Sequence, residues 1–223
     1  MAGDRWATFD CYGTLIDWLG GIRDTLEDLW PEHDAELLLG AYHEIEPEVQ
    51  RGRSIAYRQV LTETLEKLAH REGLDLADDD RAALAGSLPS WPPFPEVPAA
   101  LAELRTRGLR IAILSNTDPD LLDASLDLIG VPVDLRITAA EAGSYKPAHG
   151  HWERFLADTG ADRSSVVHIG ASPFHDLRPA AELGLRAVWI NRLHERSDAP
   201  RAAELPDLEG LPDAVDGLLP VTR

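Results

Sequence analysis

An aspartate stands where the first short apolar run of the chain ends. Residues 6–9 have the pattern of a buried strand, Asp10 follows them, and Gly13 ends the strand pattern. In open α/β sheets, ligands bind outside the carboxyl ends of the strands. A carboxylate at that position can act as a covalent nucleophile. It can equally cap the next turn and do nothing more, and this motif alone leaves both interpretations open.

Three later segments, at 111–116, 144–147 and 168–176, place further polar side chains after apolar runs. The candidates that these segments carry are Ser115, Asn116, Lys146, Ser172, His175 and Asp176. Hydroxyl and amide donors can hold a carboxylate, and a lysine beside a buried carboxyl can keep it ionised and lower its pKa. Taken one at a time, each segment is equally typical of a turn, of the start of a helix or of a solvated loop.

In order and spacing, the four segments resemble the four motifs of the haloacid dehalogenase superfamily. The resemblance covers about residues 5–17 and 92–195. Within the superfamily it is nearest to the type II L-2-haloacid dehalogenases, with an Asp-x-Tyr-Gly-Thr-Leu opening and a Trp-Ile-Asn-Arg ending at 189–192. It implies Asp10 as nucleophile, Lys146 as the cation beside it and Asp176 as the group that orients the hydrolytic water. The expected substrate-binding residues are Tyr12, Thr14, Ser115, Asn116, Ser172 and His175.

Two positions bear on the reaction that this resemblance implies. Where the phosphatases of the superfamily carry a second Asp, this chain has Tyr12, whose ordinary pKa near ~10 makes it a poor proton donor to a leaving alkoxide. Where metal-dependent relatives carry an acidic residue after the glycine of the last motif, it has Ala171. Halide leaves without a proton. We therefore predict a hydrolase without metal or other cofactor, which converts a 2-haloacid into a 2-hydroxy acid through an aspartyl ester.

Other positions depart from the dehalogenase pattern. The dehalogenases have Ser-Ser-Asn in the last motif, where this chain has Ala171, Ser172 and Pro173. They also have a tyrosine six residues after the lysine, where this chain has Trp152. The arginine that grips the substrate carboxylate early in the cap is missing, since positions 41–43 hold no arginine or lysine. Arg58 is the expected replacement, with Arg51 and Arg53 as further candidates. Two alternatives therefore stay open: an Mg²⁺-dependent phosphatase acting on a small phosphorylated metabolite, and a non-catalytic binding protein of the same fold.

The amino-acid composition limits the kinds of partner that the protein can be expected to bind. A net charge of −18, from 39 acidic and 21 basic residues, argues against nucleic acid and anionic membranes. A small anionic substrate therefore needs a local cation. The single cysteine, Cys11, excludes a disulfide within one chain, and with no apolar run of 18 residues and no signal-peptide pattern we expect a cytoplasmic protein. The sequence leaves a monomer and a homodimer both open.

The elements that must position these residues alternate after a helical insertion. Strands are predicted at 5–10, 109–115, 134–138, 165–170 and 186–191, and helices at 18–30, 35–50, 54–72, 78–88, 97–107, 119–128, 149–158 and 176–183. A proline-dense hinge covers 89–98, and the tail from 194 is expected to be a short strand or helix plus disorder. The predicted fold is α/β, with a Rossmann-like parallel sheet in a core of residues 1–16 and 91–223 and a helical cap at 17–90.

Overall fold

Short apolar runs form most of the strands, and they are buried on both faces as a parallel sheet requires. In the computed structural model, which describes residues 4–53 and 55–219, the strands are β1 (Arg5–Phe9), β2 (Leu109–Ser115), β3 (Leu135–Thr138), β4 (Val166–Gly170), β5 (Arg186–Ile190) and β6 (Ala203–Leu205). Their order is β3-β2-β1-β4-β5-β6, and every pair is parallel. The predicted α/β fold with a parallel sheet is confirmed.

The sheet belongs to the first of two compact units, which contains the chain up to Ile16, Pro93–Asn116 and the chain from Ile129 onwards. Its helices are α5 (Val97–Thr106), α7 (Ala139–Ala142), α8 (Gly150–Thr159), α9 (Arg178–Glu182) and α10 (Leu211–Leu218). Large aromatic side chains fill its core. Trp6 and Phe155 are buried and meet edge to face, with ring centroids 5.2 Å apart.

The second unit is helical and contains Asp17–Pro92 together with Thr117–Leu128. Its helices are α1 (Trp18–Leu29), α2 (Ala35–Gln50), α3 (Tyr57–Glu72), α4 (Ala83–Ser87) and most of α6 (Pro119–Ile129). No strand lies in the described residues of this unit. None of the helices in the described parts of the chain is both long and apolar enough to cross a membrane.

A long-range cap explains why the segment 117–128 groups with the helical unit, although the sequence assigned it to the core. Helix α3 has no capping side chain at its own N-terminus. The carboxylate of Asp118 instead accepts hydrogen bonds from the backbone N–H groups of Tyr57 and Arg58, both at 2.9 Å. Since the first N–H groups of a helix lack partners within it, this bond binds α3 to a segment about sixty residues away in sequence.

Two predicted helices differ from those observed. The helix expected at 78–88 is broken into a turn at Asp78–Asp80, α4 and a second turn at Leu88–Ser90. Pro89 has no N–H to continue α4 and so accounts for the second of these breaks. The helix expected at 176–183 begins as a widened turn, Pro173–Leu177, before α9.

The tail is more ordered than the sequence predicted, because it forms both a strand, β6, and a helix, α10. Three apolar side chains of this region, Leu208, Leu211 and Val215, are fully buried. The high content of Pro, Asp and Glu in the tail gave no indication of this burial. Residues 1–3 and 220–223, and Ser54 at the start of the predicted third helix, lie outside the described residues.

Candidate active site

Asp10 lies directly after the carboxyl end of β1, and both oxygens of its side chain are held. Its Oδ1 accepts a hydrogen bond from Lys146 Nζ at 2.7 Å, and its Oδ2 accepts one from the Thr14 hydroxyl at 2.9 Å. The Thr14 oxygen in turn accepts from the backbone N–H of Ala171 at 2.9 Å. Gly13 adopts a φ of +84°, which favours glycine, and so allows the chain to turn beneath the carboxylate.

Lys146 is almost fully buried and bridges two carboxylates. Its Nζ lies 2.7 Å from Oδ1 of Asp10 and 2.7 Å from Oδ1 of Asp176. The amide of Asn116 fixes its backbone from both sides, since Oδ1 accepts from Lys146 N at 2.6 Å and Nδ2 donates to Lys146 O at 3.0 Å. Asn116 was expected to hold a carboxylate. In the structure its amide positions the backbone of Lys146, and its contact with a carboxylate stays a prediction.

Asp176 is fully buried, and a histidine that the sequence analysis missed lies beside it. Its Oδ1 is 3.3 Å from Nε2 of His168, and its Oδ2 accepts from the backbone N–H of Ser172 at 3.2 Å. On the other side of the imidazole, Nδ1 lies 2.9 Å from the hydroxyl oxygen of Thr8. His168 and Thr8 occur inside apolar strands, so their only signal in the sequence was a polar residue among core positions.

One ammonium between two carboxylates sets the electrostatics of this site. Burial raises the pKa of Asp10; Lys146 opposes that rise and the negative charge of Asp176 adds to it. Burial also acts to raise the pKa of Asp176, but Lys146 and the hydrogen bond from His168 outweigh it and hold this pKa well below its ordinary range. The expectation that Lys146 would give Asp10 a lowered pKa was therefore wrong, because burial outweighs the lysine and the charge of Asp176 adds to the rise.

The same two aspartates hold Lys146 at an elevated pKa. Burial of the ammonium lowers the pKa of Lys146, but the charges of Asp10 and Asp176 raise it by more. Lys146 therefore stays positively charged near neutral pH, as the cation of an anion site must be. Asp176, with its lowered pKa, is a weak base and suits holding Lys146 and orienting water better than removing a proton.

The family of haloacid dehalogenase-like hydrolases matches residues 5–184 of the sequence. The chain belongs to this family. The (S)-2-haloacid dehalogenase of Pseudomonas sp. (strain YL) is 30% identical to it over 190 residues, which are 82% of this chain and 81% of that protein. A phosphoserine phosphatase of Thermus thermophilus is 36% identical over 120 residues, 53% of this chain and 47% of that protein.

A solved structure extends the likeness to the fold. The L-2-haloacid dehalogenase of Xanthobacter autotrophicus, with chloropropionic acid covalently bound, matches with a TM-score of 0.84 at 23% identity and covers 96% of this chain and 99% of that chain. The resemblance recognised from the four motifs is confirmed, and with it the inference that the protein is a hydrolase.

The remaining site residues of this haloacid dehalogenase-like hydrolase divide into two groups. Ser115, Ser172 and His175 lie in the unit of the sheet, where the Ser172 hydroxyl oxygen accepts from the N–H of His175 at 3.1 Å and caps a helical turn. Half-buried Tyr12 also lies there, two residues after Asp10. Contact of these four side chains with a substrate stays a prediction.

Arg58 belongs to the helical unit, and its interactions argue against the role we expected. Its Nη2 is 2.5 Å from Asp120 and its Nε is 3.4 Å from Asp118. Because two carboxylates of its own unit neutralise the guanidinium, it is poorly suited to hold a substrate carboxylate. Arg53, a second candidate, is paired in the same way with Glu63.

The donor set does not fit a divalent metal ion. Asp10 and Asp176 direct their Oδ1 atoms at the same ammonium, that of Lys146, and the position where metal-dependent relatives add a carboxylate is Ala171. Across residues 4–53 and 55–219, no three His, Cys, Asp or Glu side chains are arranged to hold a metal. The thiol of Cys11 is fully buried, and burial raises its pKa well above the ordinary value, so it is not a competing nucleophile.

Proposed function

We propose that this hydrolase removes halide from a 2-haloacid, with Asp10 as the nucleophile, and releases a 2-hydroxy acid. The observation that carries the proposal is the placement of Asp10, whose two oxygens are fixed by Lys146 and Thr14 in a buried site. Tyr12, two residues on, is a poor acid for an alkoxide leaving group, but halide needs none. The dehalogenases among the relatives support the same substrate class.

The reaction proceeds in two displacements. A carboxylate oxygen of Asp10 attacks C2 of the substrate, the carbon–halogen bond breaks, and the halide leaves with the bonding electrons. Water then adds to the carbonyl carbon of the resulting ester, and Lys146, 2.7 Å from Oδ1 of Asp10, stabilises the oxyanion that forms. Collapse of this intermediate expels the alkoxide of the substrate, which takes one proton of the water to become the 2-hydroxy acid; the other proton goes to solvent, and the Asp10 carboxylate is regenerated.

A second candidate, phosphate ester hydrolysis, is favoured by one observation. The phosphoserine phosphatase of Thermus thermophilus is more identical over its matched stretch than the dehalogenases are over theirs, although that stretch is only 120 residues. The side chains of the site argue against an Mg²⁺-dependent phosphatase, because they do not fit a divalent metal ion. The cytoplasmic location and the choice between monomer and homodimer stay predictions.

A substrate panel tests the two candidates together. We expect chloride release from 2-chloropropionate that survives EDTA, and no phosphate release from small phosphate esters with or without Mg²⁺. Asp10→Asn, the matched control, keeps the shape of the side chain but removes the nucleophile and should reduce turnover by about a thousandfold or more. Phosphate release that EDTA abolishes and Mg²⁺ restores would establish the phosphatase instead.

The destination of the hydrolytic oxygen tests the ester. In a single turnover in ¹⁸O-water with enzyme in excess, the label should enter the carboxylate of Asp10 and leave the first product unlabelled. Mass spectrometry of the peptide that contains Asp10 measures this directly. Label found only in the hydroxy acid would contradict the ester and indicate direct attack of water on the substrate.

A further inference from the structure

The last part of the recognised pattern, Trp-Ile-Asn-Arg, places a nearly buried arginine two residues after β5. The Arg192 side chain is only 15% exposed, and its Nη2 donates to the backbone oxygen of Thr14 at 2.9 Å. The same Nη2 donates to Oε1 of Glu96 at 2.7 Å, and the guanidinium lies over the ring of Phe94, 3.5 Å from its centroid. One side chain therefore contacts two segments that are about eighty residues apart in sequence.

These segments are where the chain leaves the sheet unit and where it returns. Residues 14–16 precede the helical insertion, and residues 93–96 follow it. They also contact each other, since Phe94 N donates to Leu15 O at 2.9 Å and Ile16 forms an antiparallel bridge with Pro93. We call these paired segments, 14–16 and 93–96, the crossing. Arg192, which follows β5, contacts both of them.

The crossing is connected to Asp10 through Thr14. The backbone oxygen of Thr14 accepts from Arg192, while its hydroxyl donates to Oδ2 of Asp10 at 2.9 Å. The turn between them is tight, because the N–H groups of Leu15 and Ile16 both donate to Cys11 O, at 2.7 and 3.0 Å. A shift of the Thr14 carbonyl therefore moves the hydroxyl that orients Asp10.

We infer that Arg192 is a positioning residue, which fixes the loop of Asp10 by holding the outgoing and returning segments together. The inference rests on the proposed role of Asp10 as nucleophile. The planar guanidinium lies over Phe94 while its Nη2 donates to Thr14 and Glu96, and the compact ammonium of a lysine does not reproduce this stacked, planar arrangement.

The test compares Arg192→Lys with a chemically similar arginine elsewhere in the sheet unit. Arg110 also lies over an aromatic ring, 4.5 Å from the centroid of Trp6, and pairs with Asp4 at 2.9 Å. It sits near the amino end of β2, far along the strand from Asp10's edge of the sheet. Arg192→Lys should lower kcat for 2-chloropropionate by about tenfold to a hundredfold with little change in KM, whereas Arg110→Lys should leave both constants unchanged.

Hydrogen exchange provides a readout that does not depend on substrate. The amides of Gly13 and Ile16 should exchange faster in Arg192→Lys and at the normal rate in Arg110→Lys. If Arg192→Lys does not fold, Phe94→Leu, which removes only the stacking partner, should give the same two effects at smaller size. Normal exchange, or faster exchange with normal kcat, would overturn the inference. If the native enzyme releases no halide, the proposed function fails, and exchange at Gly13 and Ile16 alone decides whether Arg192 holds the loop.

Discussion

Both units of the molecule withdraw carboxylates from water, but they give them different partners. In the sheet unit, Asp10 and Asp176 share the ammonium of Lys146. In the helical unit, half-buried Glu46 on α2 accepts a hydrogen bond from the neutral amide of Gln50. Burial raises the pKa of Glu46 to about 7, whereas Lys146 and His168 hold that of Asp176 well below its ordinary range.

The difference shows that partners can outweigh burial only where they are strong enough. Lys146 and His168 together lower the pKa of Asp176, whereas burial still raises the pKa of Asp10, which shares the lysine, and that of Glu46, which has a neutral amide. A cation compensates the loss of hydration, and an amide does so only in part. Lys146 and Asp176 therefore keep their charges at neutral pH, while Glu46 changes its protonation there. The contrast between the carboxylates of the two units leads to four predictions. The first concerns the removal of the cation that Asp10 and Asp176 share.

Lys146→Met should have the largest effect, because it leaves two buried carboxylates without a cation. Breaking a buried pair on one side costs about 3–5 kcal/mol, and halide release should fall by orders of magnitude. Urea unfolding at pH 7 and initial rates measure the two effects. The chain offers a matched control, since its only other lysine, Lys67, is exposed. Equal behaviour of Lys146→Met and Lys67→Met would refute the role of the shared cation.

Asp176→Asn should shift the titration of Asp10. The negative charge of Asp176 raises the pKa of Asp10, so its removal should lower that pKa. Because Asp10 must be ionised to attack, the acid limb of kcat/KM for halide release should move to lower pH. Asp134→Asn, a change at an aspartate paired with Arg105 at 2.7 Å, is the control and should leave the limb in place. A shift to higher pH would mean that Asp176 acts on Asp10 chiefly by orienting Lys146.

Glu46→Gln should change the pH dependence of stability and leave the chemistry intact. With the pKa of Glu46 raised from 4.5 to about 7, the folded protein holds this proton more tightly than the unfolded chain does. Stability should therefore fall as pH rises from about 4.5 to about 7, by up to about 3 kcal/mol.

The variant should lack this decline and be more stable than the native protein at pH 8. Urea unfolding across pH 4–8 tests this, with Glu48→Gln, an exposed position on the same helix, as control. A parallel decline in Glu46→Gln would assign the pH dependence to another group.

Arg58→Ala should have the smallest effect. Because Asp118 and Asp120 already pair with its guanidinium, we expect KM for 2-chloropropionate to stay within about twofold of the native value. Steady-state kinetics decide the matter. A large rise in KM with normal kcat would restore the sequence-based prediction that Arg58 binds the substrate.

The order of the elements could be predicted from periodicity because the apolar runs are short and glycines follow several helices. The predicted strand at 109–115 and helix at 35–50 match β2 and α2 residue for residue. Periodicity carries no information on bonds between distant segments. The cap that Asp118 provides for α3, and the parallel pairing of the tail strand β6 with β5, could be found only in three dimensions.

The site divides in the same way. Asp10, Lys146 and Asp176 could be predicted as neighbours from the resemblance of four ordered motifs that each follow an apolar run, whereas Thr14 was expected to bind the substrate. The structure brings these four together. His168 could not be predicted, since a histidine inside an apolar strand gives the same pattern as a core residue. Nor could the sequence show that the Asn116 amide binds the backbone of Lys146, because residue type does not reveal a hydrogen-bond partner.

The Asp118 cap has a consequence for how this architecture can be exchanged between proteins. The helical insertion between Ile16 and Pro93 resembles a continuous segment that could be transferred to another sheet protein. A graft of residues 17–92 alone would begin its third helix with two backbone N–H groups stripped of their acceptor, because Asp118 would stay behind. The transferable module is therefore discontinuous, and a chimera must carry residues 117–128 along with the insertion.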